Sequence, residues 1–219
     1  MKNKTYRITA YLLAIVPAFI MLFLYPQLPD QIPTNWGIDG TVTYGGKGTI
    51  WALVFLSLAL LLMFDLLPKI DPRKKNYEKF SKYYDGFCIF MMLFLMLMEG
   101  IIVSESFWPG RISVSKIVIL LVGILFLFMG NMMPKVKSNF YMGIKTPWTL
   151  SDADVWNKTH RLGGILMFVT GAVVIIAGFL LPDVITFYVL MSLVIVVTLI
   201  PTIMSYIWYR NLQKEENDR

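Results

Sequence analysis

Hydrophobic residues arrive in this chain as six long blocks, and polar residues are confined almost entirely to the gaps between them. The blocks cover residues 8–25, 50–67, 87–103, 117–133, 165–181 and 184–208. Each matches the ~20 residues, with a range of about 17–25, that a helix needs to cross the hydrocarbon of a bilayer. No polar face recurs strongly at helical spacing within them, as expected where lipid surrounds the helices. Only helices or closed barrels satisfy every backbone group in lipid. The pattern therefore predicts an all-α polytopic membrane protein with six transmembrane helices.

The gaps divide the chain further. A first helical hairpin takes residues 1–68 and carries an ordered outer loop at 26–49. A basic loop follows at 69–86, then a four-helix region at 87–208 with a long polar loop at 130–164, and a tail at 209–219. The opening MKNKTYR is basic, like a secretion signal. The apolar part behind it is too long, and no small-residue cleavage site follows. The first block is read as a retained helix, bent at Pro17.

Composition supports the membrane reading: 57% of residues are hydrophobic and 16% charged, against roughly 25% charged in soluble domains. The net charge of +6 raises the question of nucleic acid, which the placement of the cations answers. Lys2, Lys4 and Arg7 precede the first block. Lys69, Arg73, Lys74, Lys75, Lys79 and Lys82 lie between the second and third. Lys135, Lys137, Lys145, Lys158 and Arg161 lie between the fourth and fifth, and Arg210, Lys214 and Arg219 follow the sixth. Only Lys47, Arg111 and Lys116 of the twenty fall on the other side. By the positive-inside rule both termini and the long loop face the cytoplasm. The basic charge is thus a membrane signature, and no direct nucleic-acid contact is expected. Trp36, Trp51 and Trp108 fall near the outer boundary and Trp148, Trp156 and Trp208 near the inner one, as interfacial belts do.

The single cysteine, Cys88, makes no intramolecular disulfide, and with one histidine the chain builds no zinc site of the usual kind. No cofactor is expected.

The outer loop reads YPQLPDQIPTNWGIDGTVTYGGKG. Its prolines stiffen the lead and its glycine pairs allow tight turns, so an ordered cap is expected. Gly45 to Thr49 superficially suggest a phosphate loop but lack its spacing and preceding strand. The basic loop at 68–85 reads as an interfacial anchor on anionic lipid, each cation near the surface contributing about 1 kcal/mol. Glycines 123 and 130 stand seven apart, as do 164, 171 and 178. Stripes of that period let two helices approach closely. Facing each other, they pin the ends of the long loop together.

That long loop is GNMMPKVKSNFYMGIKTPWTLSDADVWNKTHRLGG. Ser151 is placed to cap a helix, with Asp154 reaching back in a short-armed capping box. Trp156, His160 and then Gly163 or Gly164 follow along one side. His160 either exchanges a proton beside Lys158 and Arg161 or closes the loop onto the helices as a structural residue. Ser151, Asp154 and His160 do not converge as a catalytic triad on one helix.

The loop resembles the signature of the SdpI family of bacterial membrane proteins, which runs G-N-x-x-P-K-x-K-P-N, G-I-R-T-P-W-T-L and V-W-x-K-T-H-R. Matching positions are Gly130, Asn131, Pro134, Lys135, Lys137 and Asn139, then Gly143, Ile144 and Thr146 to Leu150, then Val155 through Arg161. Ser138 replaces a usual proline and Lys145 a usual arginine. The outer loop is similar to the DUF1648-like segment found at the N-terminus of such proteins, in Leu28, Pro29, Ile32, Pro33, Thr34, Trp36, Gly40 and Lys47. There Asn35 replaces a common histidine and Gly37 a common asparagine.

The resemblance implies a non-enzymatic membrane immunity protein that protects a bacterium from a secreted SDP-type peptide toxin. It also implies recruitment, in some members, of a cognate autorepressor of the ArsR type to the membrane. Partner or signalling residues are then expected among Asn131, Pro134, Lys135, Lys137, Asn139, Gly143, Lys145, Thr146, Pro147, Trp148, Trp156, Lys158, His160 and Arg161. On the outer loop they are expected among Pro29, Pro33, Asn35, Trp36, Gly40 and Lys47. Two rival readings are a membrane enzyme built on His160, Arg161, Lys135 and Asn139, and a peptide exporter. Acidic residues inside spans are functional candidates by default. Asp65 and Glu99 lie close to span ends, where Asp65 is expected to meet interfacial cations and Glu99 to pair with Arg111 or Lys116. Met92 and Met96 share a face with Glu99 and are read as adaptable packing.

Overall fold

The computed structural model describes residues 4–218 of the chain. Lys2 and Arg219, two cations counted on the inner side, lie outside the described residues. Among these residues six helices are long and apolar enough to cross a membrane. They are α1 (Lys4–Leu24), α2 (Ile50–Ile70), α4 (Ser81–Phe107), α5 (Val114–Met132), α7 (Ala153–Leu180) and α8 (Asp183–Asn217). A helix of 21 residues such as α1 is about 31 Å long at 1.5 Å per residue, the thickness of the hydrocarbon. The protein is an all-α polytopic membrane protein. Its largest side chains commonly point outward: Phe23, Phe179 and Leu180 are 74%, 66% and 76% exposed. Lipid is the solvent that makes such a surface stable.

Two short helices complete the helical set, α3 (Lys74–Tyr77) and α6 (Pro147–Ser151). Among the described residues the strands lie in the loop between α1 and α2. Strands β1 (Gln31–Trp36) and β2 (Val42–Gly46) pair antiparallel. The Gly37 amide donates to the Thr41 carbonyl at 2.7 Å and Gly40 takes a φ of 84°. Asp39 accepts from both the amide and the hydroxyl of Thr41 at 3.0 and 2.7 Å, which holds its carboxyl below the ordinary range. The register slips between Pro33 and Asn35, which fits a proline in a ladder only at a bulge or edge.

The chain packs as two units. One runs to Lys69 and takes in Tyr84–Val118; the other holds Ile70–Tyr83 and everything from Ile119 onward. In the first, Leu28 and Ile32 of the hairpin region are buried against Met21, Ile50 and Val54, with Tyr25, Trp51 and Phe107 around them. The ordered outer cap expected from the sequence is thus a hairpin plugged into helix ends by two aliphatic side chains. Lys47 locks its base, with Nζ 3.1 Å from Asp30 and 5.6 Å from the Tyr25 ring centroid. At the other end of α1, Arg7 lies 3.1 Å from the Asp65 carboxylate and the Tyr11 hydroxyl donates to it. Asp65 therefore meets a cation as expected. Glu99 does not follow its expectation: its Oε2 is buried without a hydrogen-bond partner, while Arg111 lies over the Trp108 ring.

In the second unit the glycine stripes face each other. A Cβ on Gly130 would lie 2.4 Å from the Phe168 amide nitrogen, and one on Gly171 would lie 2.5 Å from the Gly123 carbonyl oxygen. A Cβ on Gly164 would stand 2.8 Å from the Gly130 carbonyl. Helices α5 and α7 therefore touch backbone to backbone, and the loop that joins them leaves and re-enters at one place. Towards the end of α7 away from that loop, Ile119, Val174 and Leu190 form an apolar cluster.

Candidate functional site

Pro134 ends α5, since proline supplies no N–H to continue it, and a 3-10 turn at Met133–Lys135 leads the chain away. The next eleven residues have no regular structure, so their backbone groups need side-chain partners wherever they are buried. Asn139 makes four of these bonds. It is fully buried; its Oδ1 accepts from the amides of Tyr141 at 2.9 Å and Met142 at 2.6 Å and from the Tyr77 hydroxyl at 3.2 Å. Its Nδ2 donates to the carbonyls of Lys137 and Met142 at 2.8 and 2.9 Å. The whole hydrogen-bonding capacity of an amide is used.

His160 closes the other side. It is 1% exposed and stacks on Trp156 with centroids 3.9 Å apart. Its Nε2 accepts from the Ile144 amide at 3.0 Å, which puts the proton on Nδ1, and Nδ1 donates to the Trp156 carbonyl at 2.8 Å. Gly143 makes room for the ring: at φ 114°, a Cβ there would sit 2.3 Å from Nε2. Trp156 donates from Nε1 to the Val136 carbonyl at 2.9 Å. It is a buried strut and does not belong to the interfacial belt in which its position had placed it.

Helix starts in the loop differ from the expected capping. Thr146 caps α6 by accepting from the Thr149 amide, and the Thr149 hydroxyl answers by accepting from the Thr146 amide at 2.8 Å. Thr146 also shares a hydrogen bond of 3.0 Å with Ser205 of α8. Asp152 caps α7, accepting from Asp154 and Val155. Ser151 instead donates to the Pro147 carbonyl. An Asp carboxylate outcompetes a Ser hydroxyl for two amides at the positive end of a long helix.

The basic loop at 68–85, expected to be a lipid anchor, contributes buried partners to the cap. Asp71 is 2% exposed; it accepts from the Arg73 amide at 2.6 Å, the Phe140 amide at 2.9 Å and the Tyr77 hydroxyl at 3.1 Å. Arg73 donates to Ser138 and, at 2.8 Å, to the Leu150 carbonyl, with its guanidinium 4.9 Å from the Phe140 centroid. Asn76 donates to the Ser138 carbonyl at 2.7 Å. Asp71, Arg73, Asn76 and Tyr77 were missed as members of this site. The one local signal was Asp71 before Pro72, a turn-forming pair. Nothing local points to partners more than sixty residues away.

The expected residues therefore sort into an interior and a rim. Asn139, Thr146, Trp156 and His160 are buried with their polar side-chain atoms hydrogen-bonded. Asn131, Lys135, Lys137, Lys145, Pro147, Lys158 and Arg161 are exposed, and Pro134, Gly143 and Trp148 are half-buried. Lys145 bends back to donate to the carbonyls of Phe140 and Tyr141 at 3.1 and 3.3 Å, and Trp148 packs on Tyr206. In the hairpin, Pro33 is buried, Trp36 and Lys47 are half-buried, and Pro29, Asn35 and Gly40 are exposed. His160 has no nitrogen left for substrate. No group of three or more metal-ligating side chains occurs among the described residues.

Fold and site together define a multi-pass cell-membrane protein whose polar loop is folded into a closed, hydrogen-bonded cap with a cationic rim. The model of the SdpI/YfhL protein family matches residues 135–205, taking in most of the cap, and a domain of unknown function, DUF1648, matches residues 12–58, taking in the hairpin. The resemblance drawn from the two loop motifs is borne out in both places. The chain is similar to the immunity protein SdpI of Bacillus subtilis (strain 168), with 27% identity over 192 residues, 87% of this chain and 89% of that protein. No solved structure matches it.

Proposed function

We propose that this protein is a membrane immunity protein that protects its own cell from a secreted SDP-type peptide toxin. Similarity to an immunity protein along 87% of the chain supports this reading. The same reading makes the 135–161 cap a signalling surface. Its cationic rim, turned to the cytoplasm by the charge bias, holds a soluble autorepressor while toxin is present. The observation that carries the signalling half is the split between a saturated interior and exposed Lys135, Lys137, Lys145, Lys158 and Arg161. Such a rim offers charge to a partner without disturbing the fold behind it.

Expression in a toxin-sensitive strain tests the first half. Survival is expected to rise, and unchanged killing with the protein confirmed in the membrane rejects immunity. Cross-linking from Lys145 or Trp148 with and without toxin tests the second; capture of a soluble protein only with toxin is the expected result.

The enzyme reading has less support. It needs His160, Arg161, Lys135 and Asn139 to converge on a substrate, yet two of them are enclosed with every polar atom engaged. If it were right, His160→Gln would abolish protection while leaving protein level unchanged.

A further inference from the structure

Within the first unit, α1 and α4 leave between them a cavity of about 500 Å³, within the volume range of small-molecule sites. Its α1 wall is built from Thr9, Leu13, Val16, Pro17, Ile20 and Leu24 and their neighbours on the same helix face. That stripe extends over about 22 Å at 1.5 Å per residue, so the cavity is long and narrow. The α4 wall is Met96, Glu99, Gly100 and Val103, one face at helical spacing. The lining is almost wholly apolar, as suits an alkyl chain.

One group is out of place there. Glu99 is 4% exposed and its Oε2 has no hydrogen-bond partner. Burying a carboxyl group in an apolar span costs several kcal/mol unless something pairs with it. Beside it Gly100 leaves a gap, for a Cβ built there meets nothing within 4 Å. Across the cavity Pro17 lacks the N–H that would bond the Leu13 carbonyl. An ionised Glu99 accepts hydrogen bonds and donates none, and the Thr9 hydroxyl already donates to the Thr5 carbonyl.

We propose that this cavity binds a lipophilic amine, an alkyl chain lying along the α1 face with its ammonium group hydrogen-bonded to Glu99. A fatty acid or phosphate ester would bring like charge to the carboxylate. The site is independent of the cap and of the immunity reading.

The test uses the full chain in phosphatidylcholine nanodiscs, with tritiated dodecylamine as probe. Saturable binding is expected, at least tenfold weaker in Glu99→Gln, and lost in Gly100→Leu, which fills the gap and keeps the carboxylate. Dodecanoate is expected to compete at least tenfold less well than unlabelled amine. Size-exclusion profiles and thermal midpoints confirm that both variants fold. Displacement by phosphatidylethanolamine added to the disc assigns the site to a lipid amine, and its absence assigns it to a free one. Binding unchanged in both variants, or equal competition by dodecanoate, overturns the proposal. So does a dimer cross-linked through Gly100→Cys that excess amine does not disturb, which would mean that a second copy covers the groove.

Discussion

The hairpin at 31–46 and the cap at 134–161 are both polar loops folded at helix ends, yet they are held by opposite means. The hairpin makes its own backbone bonds across the ladder, and its attachment to the helices is apolar, through Leu28 and Ile32. The cap has irregular backbone, so buried side chains must satisfy it, and Asn139, His160, Asp71 and Thr149 do so. A loop with internal ladder bonds needs only grease to dock. One without them needs a buried polar network, and such a network fails when any member is lost.

Gly143→Val should break the cap most severely. It adds strain at φ 114° and drives a side chain into His160, costing upward of about 4 kcal/mol. Protease sensitivity between Lys135 and Lys158 would reveal it. Asn139→Ala orphans the amides of Tyr141 and Met142 and should cost about 3 kcal/mol, read as a lower thermal midpoint. The contrasting substitution is Ile32→Ala. It should loosen the hairpin by roughly 2–3 kcal/mol through lost packing, while polar changes at exposed Asn35 have little effect. If Asn35→Ala harms the hairpin as much as Asn139→Ala harms the cap, the distinction fails.

On the rim, joint replacement of Lys135, Lys137 and Lys158 by Gln should change stability by less than about 0.5 kcal/mol each. It should nonetheless abolish cross-linking of the soluble partner proposed above. The smallest effect belongs to the Asp39 turn. Its carboxyl is held below the ordinary range by Thr41, so its contribution is full above the unfolded-state value and disappears as pH falls through the lowered folded one. The Thr41 amide signal should shift between pH 5 and pH 2, and Thr41→Val should move that transition upward.

How far each region was legible follows the same line. The hairpin's order could be read from its prolines and glycine pairs, because turn chemistry is local. The seven-residue glycine stripes correctly announced the contact of α5 with α7, because periodicity on a helix maps directly to a face. Trp156 and Ser151 were misread because burial and cap choice depend on what lies across the loop. Arg73 was counted among the lipid-anchoring cations and Asp71 was passed over, since their partners at Ser138, Phe140 and Leu150 are close only after folding.

Order along the chain was enough to settle six spans, the tight helix pair and the resemblance that both loops bear. These rest on block length, period and motif, which are properties of neighbours. Which polar residues would be sealed inside and which left at the surface was decided by the tertiary structure alone. A buried donor is tolerated only beside its acceptor, and that proximity comes from segments sixty or more residues apart. The unpaired carboxyl of Glu99 in its apolar cleft belongs to the same class of fact, visible only once two helices lie side by side.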